Sequence, residues 1–116
     1  MGLQLRSPSD QIRQATFAAT LATTAKVPVA HNSRAFIPLN TALAGASNEH
    51  VYRSEVSGAP KATGEAWAVG QTIYWSTANS NFTTTVGSNI KCGFALAPAL
   101  SGDTVTPLFL FDSFAP

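Results

Sequence analysis

Two histidines and one cysteine are the residues best suited to nucleophilic or metal chemistry in this sequence. A nucleophile needs a base within hydrogen-bond reach and a third group that orients the base. His31 and His50 lie among Asn and Ser residues, a context typical of exposed loops, and Cys92 lies in an apolar run typical of a small buried side chain. Their spacing matches no zinc pattern. We therefore predict no nucleophilic centre, no metal and no cofactor.

Six carboxylates could in principle supply the pair that a glycoside hydrolase uses. Some lie in turn-like contexts, and Glu55 alternates with apolar residues on the polar face of a strand. The six are Asp10, Glu49, Glu55, Glu65, Asp103 and Asp112. The glycines around Lys91 do not have the order of a phosphate-binding loop. The sequence predicts a protein that is not an enzyme, and a carboxylate-pair enzyme remains the last-ranked alternative.

The charge pattern argues for contact with another protein. Only 11% of the 116 residues are charged, against about 25% in an ordinary soluble domain, and the net charge is +1. The charges are scattered, so there is no basic stripe for nucleic acid. There is no apolar run of membrane-spanning length and no secretory signal, which favours synthesis in the cytoplasm and no membrane partner. A surface rich in Thr, Ser, Asn and Ala packs against protein at low desolvation cost.

The spacing of apolar residues indicates strands. Short runs of β-branched and aromatic residues alternate at period two and are separated by Gly, Asn and Ser, as in the hairpin of residues 71–86. The pattern predicts an all-β fold, a small antiparallel β-barrel or sandwich. We expect residues 1–14 to form an extended N-terminal arm and residues 15–116 to form a single β-rich domain.

The aromatic residues allow two interpretations. Trp67, Tyr74 and Trp75 lie in predicted strands, where packing in the core or between subunits is the preferred interpretation. Trp67 and Tyr52 could instead be stacking surfaces of a receptor- or glycan-binding module. This second interpretation stays open as the alternative from a different functional class.

An ordered set of turn and strand residues from Val56 to Leu110 resembles the small tailed-phage capsid decoration, or cement, proteins. A strand ends in Gly, a Pro-Lys pair and a small-residue turn follow, and a Gly precedes an apolar strand that closes in Tyr-Trp. A Thr-rich return strand and a later Gly-Asp turn complete the pattern. The signature residues are Gly58, Pro60, Lys61, Gly64, Gly70, Tyr74, Trp75, Gly93, Gly102 and Asp103.

The resemblance implies a homotrimer on the outer surface of a phage capsid, made in the bacterial cytoplasm. Its partner would be the major capsid protein, whose subunits it would bridge and so stabilise in the virion. We expect the N-terminal arm and the C-terminal tail, which extends beyond the family's usual end, to make the contacts. The candidate contact residues are Leu3, Leu5, Ile12, Phe17, Leu108, Phe109, Phe111 and Phe114.

Overall fold

The computed structural model describes residues 2–8 and 11–113, and this part of the chain contains nine β-strands and no α-helix. The strands form one antiparallel sheet that curls into a half-barrel, which confirms the prediction of an all-β antiparallel fold. The strands are β1 (Gln4–Leu5), β2 (Arg13–Ala18), β3 (Val29–His31), β4 (Arg34–Pro38), β5 (Ser47–Ser57), β6 (Thr72–Ser76), β7 (Asn81–Thr83), β8 (Ile90–Ala95) and β9 (Phe109–Asp112).

The longest strand, β5, has partners along both edges. Arg53 pairs with β2 and with β9, and Val56 pairs with β1 and with β9, so β1 and β2 lie on the edge opposite β9. Val51 pairs with β2 and with β4, which places β4 on the same edge as β9. The order β3-β4-β5-β9-β8-β6-β7 then completes the sheet. β5 therefore joins the N-terminal strands to the rest of the domain.

The extended N-terminal arm is not observed among the described residues. Leu3 is buried in the hydrophobic core, and Gln4 and Leu5 pair with the end of β5. Two further contacts continue this attachment: the Arg6 N–H donates to the Glu55 carbonyl at 2.6 Å, and the Glu55 N–H donates to Ser7 Oγ at 2.8 Å. An unpaired edge of β5 and the apolar side chains of the segment explain why it docks on its own domain.

Aromatic side chains from distant parts of the sequence fill the core. The Phe82 ring lies 4.8 Å from the rings of both Trp75 and Phe109, measured between centroids, and 6.3 Å from that of Phe111. Cys92 is fully buried beside them, as predicted, and burial raises the pKa of its thiol far above the ordinary value. The thiol is therefore protonated and unreactive at neutral pH.

Gly93 occupies an irregular point of β8 where no side chain fits. Its φ is +146°, and a Cβ atom on this residue would lie 1.7 Å from the Leu110 carbonyl oxygen in the neighbouring strand. The pairing of β8 with β6 shifts register between Ile73 and Tyr74, directly opposite this position. Glycine is required here because the backbone of β9 occupies the space that a side chain on β8 would need.

We expect Gly93→Ala to lower the free energy of unfolding by about 3 kcal/mol or more, because the strands must separate to admit a methyl group. Gly102→Ala is the matched control: no heavy atom lies within 4 Å of its Cβ position, and a change within about 0.5 kcal/mol is expected. Urea denaturation measures both. Equal stability of the two variants would contradict this description of β8.

Candidate functional site

Several of the signature residues hold one loop region that follows β5. Lys61 is buried, and its Nζ donates to the carbonyl oxygens of Ala62 at 2.9 Å and Asp103 at 3.2 Å. The same ammonium lies 5.8 Å from the centroid of the Trp67 ring. The Asp103 carboxylate in turn accepts from the N–H of Leu100 at 2.9 Å. The Pro-Lys pair and the Gly-Asp turn thus form one polar connection between two loops.

Glu65 connects the same region to the Thr-rich segment after β7. Its carboxylate accepts hydrogen bonds from the Thr83 hydroxyl, the Thr84 N–H at 2.9 Å and the Thr85 hydroxyl at 3.1 Å, and more weakly from Trp67 Nε1 at 3.5 Å. Burial alone would raise the pKa of Glu65, but these donors outweigh burial and lower it. The sequence identified Glu65 only as one of six candidate acids. No local pattern indicates that its carboxylate bonds to threonines eighteen to twenty residues further along the chain.

We expect Glu65→Gln to lower the free energy of unfolding at neutral pH by about 2 kcal/mol, because charge-assisted hydrogen bonds become neutral ones and one donor faces the amide NH₂. Because the folded-state pKa is depressed, the stabilisation is complete above the ordinary carboxyl pKa of 4.5 and is lost as the pH falls through the folded-state value. Denaturation at several pH values, with Glu55→Gln as control, tests this. Equal losses in both variants would contradict it.

The prediction that His50 lies in an exposed loop is wrong. His50 is fully buried in β5 and stacks on Phe17 of β2, with ring centroids 3.9 Å apart and planes 10° apart. Phe17 also contacts the rings of His31 and Phe36 at 5.1 Å, and His31 is half-buried at the end of β3. Among the described residues, neither ring nitrogen of His50 has a hydrogen-bond partner of ordinary geometry. The buried imidazole packs like an aromatic core side chain, and its stacking on Phe17 holds β2 against β5.

Burial lowers the pKa of His50 from 6.5, outweighing a raising contribution from the Asn48 backbone, and nearby His31 lowers it further. Below pH 6.5 the His50 imidazole is therefore protonated more readily in the unfolded chain than in the folded chain. The free energy of unfolding decreases as the pH falls through this range. We expect His50→Phe to remove this part of the acid sensitivity and His31→Phe to retain most of it. Thermal unfolding between pH 7 and 5 measures the difference, and identical profiles for the wild type and His50→Phe would contradict the assignment.

The predicted contact residues divide by burial. Phe109, Phe111 and Leu3 lie in the core of the single chain, so they are not surface contacts. The apolar spacing of β9 could not distinguish a core strand from a contact tail. Leu5 and Ile12 pack against the core from its margin, and Phe17 and Leu108 are half-buried. Phe114 lies outside the described residues.

The three most exposed large apolar side chains of the described residues lie instead in loops near both ends of β5. Leu21 and Leu43 are 76% and 80% exposed on two adjacent loops, residues 19–25 and 39–46, which we call the Leu21–Leu43 tip. Leu100 is 75% exposed in the loop that packs beyond the other end of β5, through the Trp67 and Ala99 backbones. These side chains remain free to contact another protein.

The described part of the chain contains neither a metal-binding cluster nor an exposed Trp67 ring. Residues 2–8 and 11–113 contain no cluster of three or more His, Cys, Asp or Glu side chains that could hold a metal ion. Trp67 is only 3% exposed and packs its ring at 90° to that of Phe109, so it presents no stacking face. In the same residues there is no helix with the length and hydropathy needed to span a membrane.

Comparison with known families decides the class of protein. A family model described as phage cement protein matches residues 7–110, which is most of the chain. The chain belongs to the phage cement protein family. This confirms the resemblance based on the signature residues, and it makes the chain a capsid-associated structural protein of a phage. The comparisons with curated proteins and with solved structures each found no match.

The signature of this cement protein is largely a scaffold. Four signature glycines have positive φ values, and the Pro-Lys pair and Asp103 bond to backbone groups of neighbouring loops. Trp75 lies in the aromatic core. These residues fix the loops that follow β5 and part of the aromatic core, while the exposed leucines provide apolar surface.

Proposed function

We propose that this cement protein binds the outer surface of a phage head as a homotrimer and bridges neighbouring major capsid protein subunits. It would be made in the bacterial cytoplasm and added to the head there. The observation that carries the proposal is the pair of exposed apolar regions near opposite ends of β5, in a chain whose family is capsid cement. A folded domain with two exposed apolar surfaces can contact two capsid subunits and hold them at a fixed separation.

Bridging stabilises a shell through additive contacts. Each subunit that the cement protein contacts must lose that contact before it leaves the lattice, so the free energy of separation rises with every bridge. The protein measures 38 × 31 × 29 Å along its principal axes, and a trimer would triple the number of surfaces that can contact the shell. No chemical reaction is needed for this role.

The low charge of the exterior favours such contacts. Of the few charged side chains, Lys61 is buried, and Glu65 is held by four donors of its own chain. Arg53 forms an ion pair with Asp112 at 2.9 Å. Thr, Ser, Asn and Ala are frequent among the other exposed positions, and these residues lose little hydration energy when another protein covers them.

The receptor- or glycan-binding alternative is weakened by the burial of Trp67. Of the two aromatic residues that suggested it, only Tyr52 is partly exposed, and it lies within β5 beside a strand partner. A single half-buried tyrosine is a poor sugar platform, since such sites use exposed aromatic faces together with convergent polar groups. We therefore do not propose this function.

The test is addition of the purified protein to phage heads that lack it. We expect saturable binding at hundreds of copies per head, counted by quantitative mass spectrometry of purified particles, and an increase in the temperature at which the heads release DNA. Heads already carrying the protein are the control and should bind no more. Binding of only about a dozen copies, or an unchanged release temperature, would overturn the proposal.

A further inference from the structure

An apolar cavity opens directly beside the Leu21–Leu43 tip. It has a volume of about 210 Å³, and its walls are residues 19–23 of the tip, residues 28–31 and the Trp75 side of the β6–β7 hairpin. Apolar cavities of about 150 Å³ accept a benzene molecule, so this one has room for a leucine side chain. Among the described residues, His31 is the only titratable side chain on its wall, and Ala30 lines it from β3.

The tip next to the cavity is held in one conformation by hydrogen bonds between its two loops. Thr23 and Ala42 exchange a pair of backbone hydrogen bonds at 2.9 and 3.1 Å, and the Gly45 N–H donates to the Ala19 carbonyl at 2.8 Å. Nδ2 of the buried Asn48 donates to Thr23 Oγ1 and to the Asn40 carbonyl. A projecting side chain on such a loop loses little conformational entropy when a partner covers it.

We propose that Leu43 of one copy inserts into the cavity beside the tip of the next copy, and that three such contacts close the homotrimer. This inference rests on the homotrimer of the proposed function and identifies the surface that forms it. The projecting Leu43 side chain, here called the knob, and the cavity are different patches on the same chain. A contact between them is therefore heterologous. Heterologous contacts generate closed rings when the rotation between copies is suitable.

A second copy of this chain fits the cavity for two reasons. The first is charge: the two loops of the tip, residues 19–25 and 39–46, carry no charged side chain, and no Asp, Glu, Lys or Arg lines the described walls of the cavity. Covering the cavity with the tip of another copy therefore desolvates no acidic or basic side chain of the tip.

The knob and the cavity also lie together at one end of the half-barrel. A rotation axis passing near that end therefore brings each Leu43 towards the cavity of its neighbour, and each copy supplies both halves of the contact. Burial of an exposed leucine in an apolar cavity removes its side chain from water, which favours each contact.

The experiment compares the molar mass of the wild type with that of Leu43→Asp by size-exclusion chromatography with light scattering. Leu100→Asp is a matched control: Leu100 is 75% exposed, and like Leu43 it accepts a turn hydrogen bond from the residue three positions later. We expect the wild type and Leu100→Asp to be trimers and Leu43→Asp to have one third of their mass. Circular dichroism verifies that all three are folded.

A second variant tests the cavity rather than the knob. Ala30→Phe places a ring in the cavity and leaves Leu43 unchanged, and we expect this variant also to be a monomer. If the wild type is a trimer and either Leu43→Asp or Ala30→Phe remains one, the inference is wrong while the proposed function stands. A trimeric Leu43→Asp variant that no longer binds heads would instead make the tip a capsid contact. A monomeric wild type would overturn the homotrimer itself, and this inference with it.

Discussion

Strand pairing along both edges of β5 is the constraint on which the rest of the structure depends. Four strands pair with its eleven residues, two on each edge, and they come from the N-terminal segment, the middle of the chain and its C-terminal part. The loops of the Leu21–Leu43 tip flank its beginning, and the loop held by Lys61 and Glu65 follows its end. The strand therefore sets the distance between the two surfaces that the proposed function uses.

Hydrogen bonds made by two charged side chains hold the segment that follows β5. Lys61 and Glu65 each satisfy their charge with backbone groups or hydroxyls of neighbouring loops, and they do so within a segment that has no regular strand to hold it. Their hydrogen bonds replace the ladder that a sheet would provide. Because these charges are used internally, the exterior is even less ionic than the composition suggests, which favours association with protein over free solution.

The sequence allowed the all-β class, the hairpin and the structural importance of the signature glycines to be predicted, because these depend on local alternation and turn chemistry. The burial of His50 could not be predicted, since its neighbours Asn48 and Glu49 are polar and the ring that covers it, Phe17, is contributed by another strand. The position of Phe109 and Phe111 was likewise set by long-range pairing. The N-terminal segment docks for the same reason: the edge that it covers belongs to β5, some fifty residues further along the chain.

The central claim, that this cement protein works by bridging shell subunits, is tested most directly by imaging intact particles at a resolution that traces side chains. The account predicts density for the half-barrel on the outside of the head, with each trimer in contact with at least two major capsid protein subunits. Density confined to a single subunit, to the interior of the shell or to the tail would contradict it.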